Sequence, residues 1–108
     1  MFIVTRKMTV KEGYAEQVAN NFNPPSVLLE QDGFVDIKIL VKQVRRGEEE
    51  VLILITWESE QHWKNWEKSD AHIAQHRKKR NEPKPDYLIN FEVARYELKG
   101  VKKAVQAN

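Results

Sequence analysis

The residues in this chain best suited to chemistry are two histidines, a tryptophan and one arginine. His76 stands ten residues after Trp66. Neutral imidazole is a common metal ligand, so His76 could serve as an axial ligand to a metal centre. Spacing alone favours the plainer reading, a surface histidine at the end of a basic helix. His72 and His76 are four residues apart, share a helix face, and could together hold a divalent metal. His62 lies before a helix break, and spacing brings no carboxylate convincingly into the set. Trp66 sits just before that break. Its ring could pack against a flat ligand or belong to the core, while Trp63 reads as core. The run Arg77-Lys78-Lys79-Arg80 could meet phosphate or carboxylate groups. It reads better as a solvated helix end whose cations suit the dipole. Arg6 interrupts an apolar row, which puts it at a sheet margin or in a pocket lining.

Other chemistries are poorly supported. No serine sits on a recognisable nucleophile turn, and there is no glycine-rich phosphate loop. The chain has no cysteine, hence no disulfide, thiolate metal site or thiol nucleophile. That composition suits a reducing cytoplasm. Net charge is +2, with both signs interspersed and no groove-reading helix, so nucleic acid is not an expected partner. No basic segment followed by a long apolar one opens the chain, so no signal peptide is expected. No apolar run approaches the ~18 residues that span a bilayer, so no membrane partner is expected. With 108 residues, 41% apolar, and three Trp, four Phe and three Tyr, one domain with one core is expected.

The elements that must position these residues follow from periodicity. Residues 2–10 alternate as a strand, with Phe2, Val4, Met8 and Val10 on one face and Arg6 in their row. After the turn Lys11-Glu12-Gly13, a helix is expected from about Tyr14 to Phe22, with Tyr14, Val18 and Phe22 as its stripe. Asn23-Pro24-Pro25 ends it. Residues 26–31 form a connector or a short helical turn, and Asp32-Gly33 a second turn. Phe34 to Arg45 alternates as a strand, and Arg46-Gly47-Glu48 breaks it. Glu50 to Trp57 is apolar on both faces, which requires cover on both. Helices supply one cover, and a partner subunit is expected to supply the other. Ser59 should cap a second helix and Ser69 a third, with Asp70 in its first turn. Residues 81–86 form a loop, Tyr87 to Leu98 a last strand, and residues 101–108 a polar tail after a domain of residues 1–100. The order β-α-β-β-α-α-β predicts an α+β fold of ferredoxin-like type with an antiparallel sheet.

Read together, Ile55-Thr56-Trp57, Ser59, Trp66, Lys68-Ser69-Asp70 and His76 resemble the IsdG-type haem-degrading monooxygenases of the antibiotic biosynthesis monooxygenase superfamily. The first strand with its Lys-x-Gly turn, Gly33-Phe34, and residues 88–96 resemble the same family, so the likeness spans about residues 2–98. The resemblance implies a homodimer closed as a dimeric α/β barrel, with one haem per subunit between sheet and helices. His76 matches the axial ligand, and Trp66 the tryptophan that presses the porphyrin out of plane. Haem is then both cofactor and substrate. An external electron donor reduces the iron, the ring opens with oxygen, and iron is released.

One position departs from the family pattern. The family has an asparagine on the first strand whose amide donates near the haem, and here that position is Arg6; no asparagine precedes Asn20. Arg6 could meet a haem propionate, supply the missing donor, or pair with an acid and partly fill the pocket. The resemblance therefore leaves two alternatives beside haem degradation. One is a cofactor-free monooxygenase acting on a phenolic or quinol-like substrate. The other is a non-catalytic haem-binding dimer.

Overall fold

A computed structural model describes residues 1–22, 26–80 and 82–105, without the side chains of residues 79 and 80. The proline stop Asn23-Pro24-Pro25, Asn81 of the expected loop, the side chains of Lys79 and Arg80, and the last three residues of the tail lie outside the described residues. The elements are β1 (Phe2–Val10), α1 (Ala15–Asn20), β2 (Phe34–Val41), β3 (Glu49–Trp57), α2 (Glu60–Glu67), α3 (Asp70–Arg80) and β4 (Leu88–Glu97). A short 3-10 turn, Val27–Glu30, occupies the expected connector. The four strands form one sheet in the order β2-β3-β1-β4, and every neighbouring pair is antiparallel. This is the expected ferredoxin-like arrangement.

Register assigns the two faces. Val4, Arg6 and Met8 of β1 lie opposite Ile55, Ile53 and Val51 of β3, and opposite Arg95, Val93 and Phe91 of β4. Side chains on a strand alternate in direction, so these residues share one face. That face carries the core: Phe2, Val4, Met8 and Val10 are buried with Val51, Ile53, Ile55 and Trp57. Ala15, Val18 and Ala19 of α1 and Trp66 of α2 close over it. The other face presents Ile3, Thr5, Leu52, Leu54 and Ala94, part-buried, beside the exposed Tyr96 and Leu40. The described residues place no helix over it.

Two expectations change in detail. Helix α1 is shorter than its apolar stripe suggests. Tyr14 stands outside the helix at its N-cap position, adds no side-chain cap, and stacks on Tyr87 with ring centroids 5.0 Å apart. The cap comes instead from β3, where Glu49 Oε1 accepts the Ala15 N–H at 2.9 Å and sets a negative charge at the helix N-terminus. Strand β2 ends at Val41, not Arg45, because the last ladder bond runs from Lys42 N–H to Glu50 O at 2.9 Å. Beyond it, residues 42–48 carry the chain round to β3 as a polar loop.

The start of β2 is tied to α2 through Gly33. Its φ is +80°, and its carbonyl accepts the Glu58 N–H at 2.8 Å. A β-carbon there would overlap the His62 ring. His62 is itself anchored by Ser59 Oγ, 2.7 Å from its Nδ1. Gly47 also has positive φ, +91°, but opens on space. Gly33→Ala should therefore cost about 2 kcal/mol or more, from backbone strain plus overlap. Gly47→Ala should cost about 1 kcal/mol, from strain alone. Urea unfolding of the two variants checks this; equal costs would mean that His62 yields freely.

Candidate functional site

The turn from α2 to α3 is made by Ser69. Its hydroxyl donates to Trp66 O at 2.7 Å and accepts the His72 N–H at 3.2 Å. Its own N–H also donates to Trp66 O, at 3.0 Å. One side chain thus ends one helix and caps the next, as the Ser-Asp pair predicts. Ser59 caps α2 in the same way, accepting the His62 N–H at 3.2 Å.

This tight turn builds a ladder of rings from core to surface. The Trp66 centroid lies 6.4 Å from that of Trp57 and 5.0 Å from that of His72, and His72 lies 4.4 Å from His76. Trp66 and His72 are each 8% exposed, whereas His76 is exposed. Trp66 is therefore part of the core. Trp63, which the sequence suggests as core, sits at the core margin. It packs on Phe2 at 5.4 Å, and the Arg95 guanidinium lies 5.2 Å from its ring centroid. Its exposed side answers to that cation, a contact absent from helix periodicity.

The histidines form a connected polar cluster. His76 Nε2 lies 3.1 Å from His72 Nε2. His72 Nε2 lies 3.0 Å from Glu67 Oε2, and its Nδ1 lies 3.2 Å from Glu67 O. Glu67 thus supplies the carboxylate that spacing did not bring to the histidines. The signal was hidden because Glu67 and His72 are five residues apart across the Ser69 turn, not four apart on one helix. His62 takes no part; it faces Asp32 and Glu58 at the other end of α2.

Arg6 lies across from this cluster. It stands between Ile53 and Val93 in the sheet, part-buried in the helix-side row. Burial pushes its guanidinium below its ordinary value, and the Glu67 carboxylate acts the other way. An arginine so placed still holds its proton at any physiological pH. Among the described residues it makes no ion pair within 4.0 Å; Glu67 acts on it through space. Beside it, the helix-side residues Val93 and Phe91 are 55% and 44% exposed. The helices leave the β4 side of this face bare. Of the residues singled out in the sequence, Trp66 and His76 are joined through His72 in the ring ladder, and Arg6 is linked to that corner through the charge of Glu67. The basic run after His76 leaves Arg77 and Lys78 exposed, as a solvated helix end should.

Residues 1–78 match the family model described as antibiotic biosynthesis monooxygenase. The chain belongs to that family. Within it, the chain is 53% identical over 103 residues to the heme-degrading monooxygenase HmoA of Bacillus subtilis, covering 95% of both chains. A crystal structure of a Bacillus cereus protein named for the same family superposes with a TM-score of 0.83 at 44% identity, covering 95% of this chain and 97% of that one. The heme-degrader MhuD of Mycobacterium tuberculosis, solved with two hemes in its active site, shares the fold. Its TM-score is 0.65 at 19% identity, over 92% of this chain and 96% of that one. No helix among the described residues is long and apolar enough to cross a membrane.

In this family member the site's geometry hangs on the Ser69 hydroxyl. Ser69→Ala should remove a cap and a carbonyl partner at once and cost about 1–2 kcal/mol. In urea the midpoint should fall with the slope unchanged; an unaltered midpoint would mean that the helix turn is held by packing alone.

Proposed function

We propose that this protein is a haem-degrading monooxygenase: it binds haem between α3 and the bare β4 side of the sheet and opens the porphyrin ring with oxygen. The observation that carries this reading is the 53% identity, over 95% of both chains, to a haem-degrading enzyme. The site's chemistry fits the substrate. A porphyrin needs a flat apolar surface, and Phe91 and Val93 offer one on the helix side of β4. Its iron needs a ligand, and the exposed His76 ring offers one. Its propionates need a cation, and Arg6 offers a planar guanidinium with five donors.

Each residue then has a role. His76 holds the iron through its ring nitrogen. If Nε2 is used, its contact with His72 is given up, and the exposure of the His76 ring leaves it free to turn. Trp66 is wedged between Trp57 and His72, so it forms the rigid part of the wall against which the porphyrin is pressed. Arg6 takes the place of the family's asparagine and orients the substrate by its charge. Haem, when bound, would supply the oxygen chemistry with electrons from an external donor, and opening of the ring would release its iron. Residues 1–100 are read as the single domain that does this, and the protein as cytoplasmic.

A homodimer completes the reading. The sheet face opposite the helices is concave and lined by Ile3, Leu52, Leu54, Ala94 and Tyr96, among others. It lacks cover within the described residues, although β3 is apolar on both sides. On the same face Asp36 Oδ1 is buried with no hydrogen-bond partner. A second copy of the sheet laid on this face gives the apolar residues their cover.

Hemin added to the purified protein should raise a Soret band that saturates near one hemin per chain, and His76→Ala should abolish it. A reductant in air should then bleach the band; a band that persists would leave a haem binder without turnover. Sedimentation should give a dimer, and Leu54→Lys should shift it to monomer. A monomeric wild type would remove the shared-sheet reading.

A further inference from the structure

The chemistry around His72 asks for a cation. Its Nδ1 faces the Glu67 carbonyl oxygen at 3.2 Å. A carbonyl only accepts, so this nitrogen carries the hydrogen. In a neutral ring Nε2 is then a lone pair. Yet Nε2 faces the Glu67 carboxylate oxygen at 3.0 Å and His76 Nε2 at 3.1 Å. His76 can meet that lone pair by donating from its own Nε2–H, but the carboxylate oxygen only accepts, and it repels the lone pair unless a second proton or a metal ion lies between them. His72 is also almost fully buried, so water does little to relieve the repulsion.

We propose that Glu67, His72 and His76 form a site for a first-row divalent cation of the zinc and ferrous class, sharing His76 with the haem iron. Two nitrogens and one carboxylate on adjacent turns are the two-histidine, one-carboxylate set that such ions take with open positions left for water. The ligand atoms all lie within 4.8 Å of one another. Metal–ligand bonds of about 2.0–2.2 Å place neighbouring ligands roughly 3–3.6 Å apart, from octahedral to tetrahedral, close to the separations of 3.0 and 3.1 Å on the two sides of His72 Nε2. The bond from His72 Nδ1 to a backbone carbonyl is the outer contact that ligating histidines use to fix their tautomer and aim. His76 and Glu67 reach the surface and give the ion a way in. The shared-ligand part rests on the haem reading above, because one imidazole nitrogen cannot hold two metals. An ion on His76 Nε2 therefore excludes haem from that nitrogen, and haem bound through Nε2 excludes the ion.

Cobalt(II) is a suitable probe, because its visible absorption reports coordination. Titrated into the haem-free protein, it should bind at one ion per chain, and Zn²⁺ should displace it. Glu67→Gln and His76→Gln, both at accessible side chains, should each weaken binding at least about tenfold, with circular dichroism showing the fold intact. His72→Ala is avoided because that ring is buried. Absence of cobalt binding, or wild-type affinity in both variants, would overturn the site and leave a second proton on His72 as the cation. With cobalt bound, hemin should give a weakened Soret band that a chelator restores. A full Soret band with cobalt still in place would instead overturn the sharing of His76 Nε2 and leave the cation site standing.

Discussion

The rest of the site depends on three hydrogen bonds at one serine. Ser69 closes α2 by donating twice to the Trp66 carbonyl and opens α3 by accepting from His72. Helix ends leave backbone groups without partners, and a connection of two residues between helices has little room to satisfy both. Because one hydroxyl serves both ends, no longer linker is needed and the helices meet at a sharp corner. That corner puts consecutive rings in contact: Trp66 against Trp57 on the core side and against His72 on the other. A looser joint would leave the histidines on a helix with no fixed relation to the sheet.

Packing and polarity then divide the work. The helix-side core of β1 and β3 is aliphatic and nearly dry, and it anchors Trp57. The ring ladder carries that rigidity outward to His76. Arg6 breaks the apolar row between the buried Val4 and Met8, and the exposed Val93 beside it on β4 leaves that flank open for a cation. A guanidinium within the closed part of the core would need a close partner. At the edge of cover it feels Glu67 at a distance and keeps some water.

Much of this was legible in the chain. The face of β1, the position of Arg6 in its apolar row, both serine caps and the helix break follow from alternation and capping chemistry, which act within a few residues. What was hidden depends on contacts far apart in sequence or on turns that reset periodicity. Glu67 was missed as a partner of the histidines because the Ser69 corner changes the angular count between them. Tyr14 was read into a helical stripe because its stacking on Tyr87, 73 residues later, has no local signature. The cap that Glu49 gives to α1 is invisible for the same reason. The family pattern marked Trp66 and His76, but only the folded sheet shows that Arg6 stands beside exposed Phe91 and Val93.

Strand β4 is paired along β1 yet exposed over most of its length on both faces. Elements with few buried contacts open locally at a fraction of the global unfolding free energy. A ligand that covers one face and a subunit that covers the other would each bind only the closed strand, so each adds to its stability by mass action. With both in place, the last strand would be where occupancy is converted into folding. The empty, solitary chain exposes Ile89, Phe91, Val93 and Tyr96 at an unprotected sheet edge, the kind of surface through which strands of different molecules pair. Haem supply and protein concentration would then govern how long the chain survives as a soluble species, through a segment more than ten residues from the nearest histidine in sequence.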